Sequence, residues 1–183
     1  MKLAVLYTVF NGTELLNKSI EQLRPFTKNL LVCWQEFSNR AEKIDPVDRS
    51  ALLGADWDGI MMHEPNPRLD AKENERRKHQ KMIEWAKSRG CTHFLLMACD
   101  EMYFPDDIRH GMELAETIDV TYTGMYTYYK RPTWQLVPRE DYYKPFIQRL
   151  HKDTQITTKQ YRFKVDPSVR IAPAKSFREM PFH

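Results

Sequence analysis

The sequence predicts an α/β domain built on a mainly parallel central sheet flanked by helices. Three observations predict it. Apolar runs of strand length at 3–9, 30–34, 59–63 and 94–98 alternate with stretches of helical spacing. The links between them are short, which makes a strand–helix–strand unit a right-handed crossover. The run 94–99 is apolar on both faces, as suits a strand covered by helices on two sides, and it stops abruptly at Asp100-Glu101. At 183 residues and 42% hydrophobic content the chain can bury one such core and is short for two, so residues 1–183 read as a single domain.

The first strand ends at Asn11-Gly12, a turn signal, after which Thr13 is placed to cap a helix with apolar positions Leu15, Leu16, Ile20 and Leu23, closed by Pro25. The second strand leads into polar Gln35, Glu36, Ser38, Asn39 and Arg40. Residues 46–54 read as a short helical or irregular connection, and the third strand is stopped by Glu64-Pro65-Asn66-Pro67. The longest helix, 71–89, buries a stripe at Met82, Ile83 and Ala86. It carries the dense basic cluster Arg76-Arg77-Lys78-His79, which reads either as a source of a cation for a diphosphate or as a solvated face with Glu73 and Glu75 partnering Arg77 and His79. After the fourth strand come a helix at 105–116, a strand at 120–129 and an aromatic, proline-rich stretch at 130–146. Its rings, Trp134 above all, suit the apolar face of a sugar or the core of the sheet's second half. The tail 165–183 holds three prolines and little regular pattern.

The charge of +3 is too small to argue for nucleic acid and is compatible with a phosphorylated small molecule. No apolar segment approaches membrane-spanning length, and the apolar opening lacks a small-residue cleavage site, so it reads as the first strand of a cytoplasmic protein. Cys33, Cys91 and Cys99 are odd in number and lack metal-type spacing, so they read as reduced thiols in or near the core.

Chemistry concentrates where the fourth strand ends. An acidic pair beyond the C-terminal end of a parallel strand sits where open α/β sheets bind ligands, and hard oxygen donors there suit Mg²⁺ or Mn²⁺. The same residues also read as a solvated turn opening the helix of Pro105-Asp106-Asp107. The loops at Val9-Phe10-Asn11 and 35–39 fall at the same sheet edge and would frame one pocket with Asp100.

In this order of elements, with Tyr7 to Asn11, Gln35 and Ser38-Asn39, the helix ending Glu84-Trp85-Ala86-Lys87-Ser88-Arg89-Gly90, and Thr92-His93-Phe94 leading to Asp100-Glu101-Met102-Tyr103, the chain resembles glycosyltransferases of the A-type fold. It looks closest to small family-2-like members of phage and bacterial genomes. The resemblance covers about 1–146 and is specific around 98–105. It implies a nucleotide-diphospho-sugar transferase-like domain, with 1–104 as the nucleotide-sugar half and 105–183 as an acceptor-side half that is short or truncated, since family members carry further C-terminal helices. In that fold an Asp-x-Asp signature holds a divalent metal on the donor's two phosphates. Here the triplet is Ala98-Cys99-Asp100, which keeps the metal-binding acid and lacks the one that meets the ribose or sugar.

The resemblance further implies Mn²⁺ or Mg²⁺ on Asp100 and Glu101, a late histidine contact at His183, and a nucleotide held by Val9, Phe10, Asn11, Gln35 and Asn39, with Arg77 or Lys130 on the diphosphate. For an inverting transfer, a general base in the acceptor half falls on Asp141 or Glu140, a pair that equally reads as the surface start of a short helix, and a retaining transfer stays open. The implied partners are a nucleotide-diphosphate sugar and a hydroxyl-bearing acceptor such as a glycan, with nucleic acid only as a modified-base acceptor. Two other classes remain: a decayed nucleotide- or sugar-binding module, which Ala98 favours, and a nucleotidyltransferase, which is expected to show a glycine-rich phosphate loop that a chain with six glycines does not display.

Overall fold

The computed structural model describes residues 1–43, 52–128, 134–138, 143–156 and 177–179. Among them the strands are β1 (Leu3–Val9), β2 (Leu30–Trp34), β3 (Gly59–Met62), β4 (His93–Ala98), β5 (Val120–Gly124), β6 (Tyr143–Arg149) and β7 (Phe177–Glu179). The α-helices are α1 (Leu16–Leu23), α2 (Ala71–Ser88) and α3 (Pro105–Ala115). The strands form one sheet in the order β3-β2-β1-β4-β6-β5-β7. β1 lies parallel to β2 and β4, β2 to β3, and β5 to β7, while β6 runs antiparallel to β4 and β5. The result is a mixed α/β domain whose sheet is mainly parallel, as the alternation of runs predicts.

The chain winds outward from β1 to β2 and β3, then crosses back through α2 to lay β4 on the other side of β1. This reversal makes a topological switch point between β1 and β4, where connections depart in opposite directions and a crevice opens at the carboxyl ends of the strands. Alternation along the strands splits the core accordingly. Leu3, Val5, Tyr7 and Val9 of β1 pack with Leu95 and Met97 of β4 against Leu16, Ile20 and Leu23 of α1 and Ile108 of α3. Ala4 and Leu6 pack with Leu31, Cys33, Phe94 and Leu96 against Met82, Ile83 and Ala86 of α2.

Several expectations need correction. The first helix opens as a 3-10 turn, Thr13–Leu15, with Gly12 at φ 74° and no side-chain cap, so Thr13 does not cap it. Leu15, expected in its apolar stripe, is 47% exposed because it belongs to that turn. The strand expected at 120–129 stops at Gly124, which is paired with Tyr143 of β6. β6 begins inside the aromatic stretch 130–146 and runs past it to Arg149, and the tail contributes β7 alongside β5. The expected connection at 46–54 falls mostly outside the described residues. Cys33, Cys91 and Cys99 are free and buried, as expected.

Candidate functional site

The crevice of the switch point is framed by the turns after β1 and β4. Cys99 Sγ donates to the carbonyl of Asn11 at 3.1 Å, which holds the two turns in direct contact and sets Asp100 beside Asn11. From below, α1 fixes the second turn. Ser19 Oγ donates to the Glu101 carbonyl at 2.8 Å while sharing a 2.7 Å hydrogen bond with Tyr7 Oη, and Gln22 Oε1 accepts from the Tyr103 N–H at 2.8 Å. Burial pushes the Cys99 thiol up to about 11, with the Asp100 carboxylate adding to the shift, so it is a protonated donor in this contact.

Asp100 is exposed at the lip and has no hydrogen bond or ion pair among the described residues. Glu101 turns inward and pairs with Lys144 of β6, whose side chain is 3% exposed. Burial raises the Glu101 carboxyl above its usual range, and the Lys144 ammonium opposes that shift. The two adjacent acids thus have different fates: Glu101 is committed to a cation, and Asp100 remains the carboxylate open to a ligand. Among the described residues no group of three or more His, Cys, Asp or Glu side chains is placed to hold a metal.

The neighbouring loop residues are more structural than the sequence suggested. Val9 is a core side chain, 1% exposed, and its carbonyl accepts from Gln35 N–H at 3.1 Å. Gln35 is 2% exposed and its amide is spent internally, Nε2 donating to the Phe37 carbonyl at 2.6 Å and to Asn39 Oδ1 at 3.3 Å. Asn39 is tied to α2 by Asn74 Nδ2, which donates to its carbonyl at 2.9 Å. Phe10 is half-buried and Asn11 exposed, both in the turn that follows β1.

The basic cluster on α2 divides by helical phase. Glu73 holds Arg77 at 2.9 Å, as the solvated-face reading expects, and Arg76 as well at 2.7 Å. Arg77 is half-exposed. Lys78 and His79 point inward, each 6% exposed. Lys78 Nζ donates to Gln35 Oε1 at 2.9 Å, an amide rather than a carboxylate, and burial lowers its pKa. Burial pushes His79 down to about 3, helped by the positive charges of Lys78 and Lys144. The inward lysine is thus Lys78, the neighbour of the Arg77 that the sequence singled out. The signal was available in phase, since Lys78 stands four residues before the buried Met82.

Trp134 is 51% exposed, on the connection that leaves the site edge at Gly124 and returns at Tyr143. Lys130, Glu140, Asp141 and His183 lie outside the described residues.

No family model matches the sequence, and no curated protein matches it. Among solved structures the chain is similar to CMP:2-keto-3-deoxy-manno-octonic acid synthetase complexed with CTP, at 11% identity and a TM-score of 0.38, over 82% of this chain and 72% of that one. At that distance the likeness says nothing of what this chain binds. No helix among the described residues is long and apolar enough to cross a membrane.

Proposed function

We propose that the chain is a metal-dependent glycosyltransferase that moves a sugar from a nucleoside-diphosphate donor to a hydroxyl-bearing acceptor. The observation that carries this reading is the placement of Asp100 beside Asn11 at the switch point between β1 and β4, the position at which open α/β sheets take nucleotide ligands. The donor set fits a hard divalent cation. Mg²⁺ and Mn²⁺ bind through one or two carboxylates and draw their remaining ligands from water and phosphate, and Asp100 supplies one such carboxylate at an exposed lip. With Glu101 held by Lys144, Asp100 is the ligand this reading rests on, with His183 as the second contributor that the resemblance implies. The cation, when bound, neutralises charge on the departing diphosphate.

The chain's own residues do the rest. Phe10 and Asn11 line the donor side of the crevice, and Gln35 with Asn39 hold the adjoining loop in place rather than touching the nucleotide. Trp134 offers a ring face to the transferred sugar or the acceptor. Asp141, with Glu140 as the alternative, removes the acceptor proton.

Titration calorimetry with a panel of nucleoside diphosphates, with and without Mn²⁺, tests the donor half of this reading. Metal-dependent binding that Asp100→Ala abolishes, with the fold intact by circular dichroism, supports it. Absence of binding in both conditions would mark a decayed scaffold instead. On the acceptor side, Asp141→Asn or Glu140→Gln is expected to depress turnover about 10²-fold or more while leaving donor affinity unchanged, because a base acts in the transition state. Near-parental rates in both variants would remove the pair from the chemistry.

A further inference from the structure

The end of β3 and the first half of α2 enclose a second recess, on the far side of β2 from Asp100. It is a cleft of about 220 Å³ lined by His63, Glu64, Asn66, Asn74, Arg76, Arg77, Gln80 and Lys81. In the sheet order β3 is separated from β4 by three strand spacings, roughly 14 Å, so the cleft and the Asp100 lip are distinct places on one edge.

Its wall contains an imidazole without a partner. His63 is 3% exposed, and neither Nδ1 nor Nε2 has a hydrogen-bond partner among the described residues. A buried polar group left unpaired costs on the order of 1–3 kcal/mol, so such a group in the wall of a recess points to something that completes it. The amides nearby are not available as its partners: Asn74 is spent on Asn39 and Asn66, and Gln80 on Ile156 and Glu84.

The charge of the wall says what kind of group completes it. Three cations, Arg76, Arg77 and Lys81, and one acid, Glu64, line the cleft, and Glu73 beside it holds Arg76 through Nε and Nη2. Glu73 takes Arg77 through Nε, and Lys81 has no ion-pair partner among the described residues. His63 is pushed down to about 4, by burial first and then by the positive charges of Lys81 and Lys78, so it is neutral and carries one N–H to give. The recess is several times the ~30 Å³ of a water and below the ~300–1,000 Å³ of pockets for larger organic ligands.

We infer that this cleft is a binding site for a phosphate group, taken up by Arg77, Lys81 and the N–H of His63 independently of the ligand at Asp100. A tetrahedral dianion satisfies several donors at once, which suits a guanidinium, an ammonium and an imidazole converging on one small space. The phosphate is either inorganic or the terminal phosphoryl group of a small metabolite, and the two sources share this chemistry.

Calorimetric titration of the full chain at fixed ionic strength, with inorganic phosphate in one arm and a sugar monophosphate in the other, tests the site. Saturable binding of at least one is expected, and whichever binds tighter names the source. The double substitution Arg77→Met with Lys81→Met should weaken binding by about tenfold or more, since each charge-assisted contact contributes on that order. Asp100→Ala should leave it unchanged, which separates the failure of this site from the failure of the donor reading. A second readout needs no substitution. In NMR titrations the His63 ring should ionise at higher pH with phosphate bound, because the dianion offsets the field of the lysines. No saturable binding in either arm, binding indifferent to the double substitution, or a His63 titration unmoved by saturating phosphate would overturn the inference.

Discussion

Lys144 and Glu101 show how much one pairing decides at this site. Removing the ammonium leaves a carboxylate that is already destabilised by burial without its cation, so Lys144→Met is expected to cost about 3–5 kcal/mol, read from urea denaturation. Lys144→Met combined with Glu101→Gln should be milder than Lys144→Met alone. If the double variant is the less stable of the two, the ion pair is not the reason for the loss. The buried histidines make a second residue-scale prediction. In the unfolded chain each imidazole takes a proton near pH 6.5, whereas in the fold His63 does so at about 4 and His79 at about 3. The unfolded state therefore binds protons first as pH falls, and stability drops below pH 6.5 by up to about 1.4 kcal/mol per pH unit for each ring, until the folded values are reached. Glu101, raised by burial, works in the opposite sense. The guanidinium midpoint should be lower at pH 5.5 than at pH 7.5, and the difference should shrink in His79→Leu. An undiminished difference in that variant would locate the acid sensitivity elsewhere.

At the scale of elements, α2 and α3 are anchored by different devices. Asp70 caps α2 by accepting from Glu73 N–H at 2.7 Å, so Asp70→Ala should cost about 1 kcal/mol by thermal or chemical denaturation. α3 sits on β6 through Gly111, where an added Cβ would come within 2.4 Å of the Phe146 ring. Gly111→Ala is therefore expected to destabilise by about 1–3 kcal/mol through overpacking, despite alanine's better helix propensity; a stabilised variant would show that Phe146 has room to shift. These two helices were legible in the sequence, α2 from its buried stripe at Met82, Ile83 and Ala86 and α3 from the Pro105-Asp106-Asp107 start. So were β1, β2 and β4, whose apolar runs need no partner to be recognised. β6 was not. Lys144, Pro145, Gln148 and Arg149 interrupt its apolar pattern, and the groups that pair with two of them are far away in sequence: Glu101 for Lys144, and the Ala115 and Glu116 carbonyls, which accept from Arg149 Nη2. Pro145 is accepted inside the sheet because β4 is not paired with β6 at that level. The site divided in the same way. The Asp100 turn was readable from the end of a strand, while the committed state of Glu101 and the inward turn of Lys78 depend on contacts across 43 residues of chain each.

Over the whole molecule, the sheet is a parallel half, β3-β2-β1-β4, joined to β6-β5-β7. The registered pairs across the join are His93 with Arg149 and Phe94 with Gln148, at the edge away from the site. Toward the site β6 keeps company with β5 as far as Tyr143 and parts from β4. Lys144 and Glu101 bridge the gap at that end. The join therefore has its backbone rungs at His93 and Phe94, and its crevice end is held by side chains instead: Lys144 on Glu101, and the Tyr103 ring against Phe146 with centroids 4.7 Å apart. Loss of that ion pair would leave the crevice end of the join closed by the ring contact and by Phe146 and Ile147 of β6, which share a buried core with Leu95 and Met97 of β4.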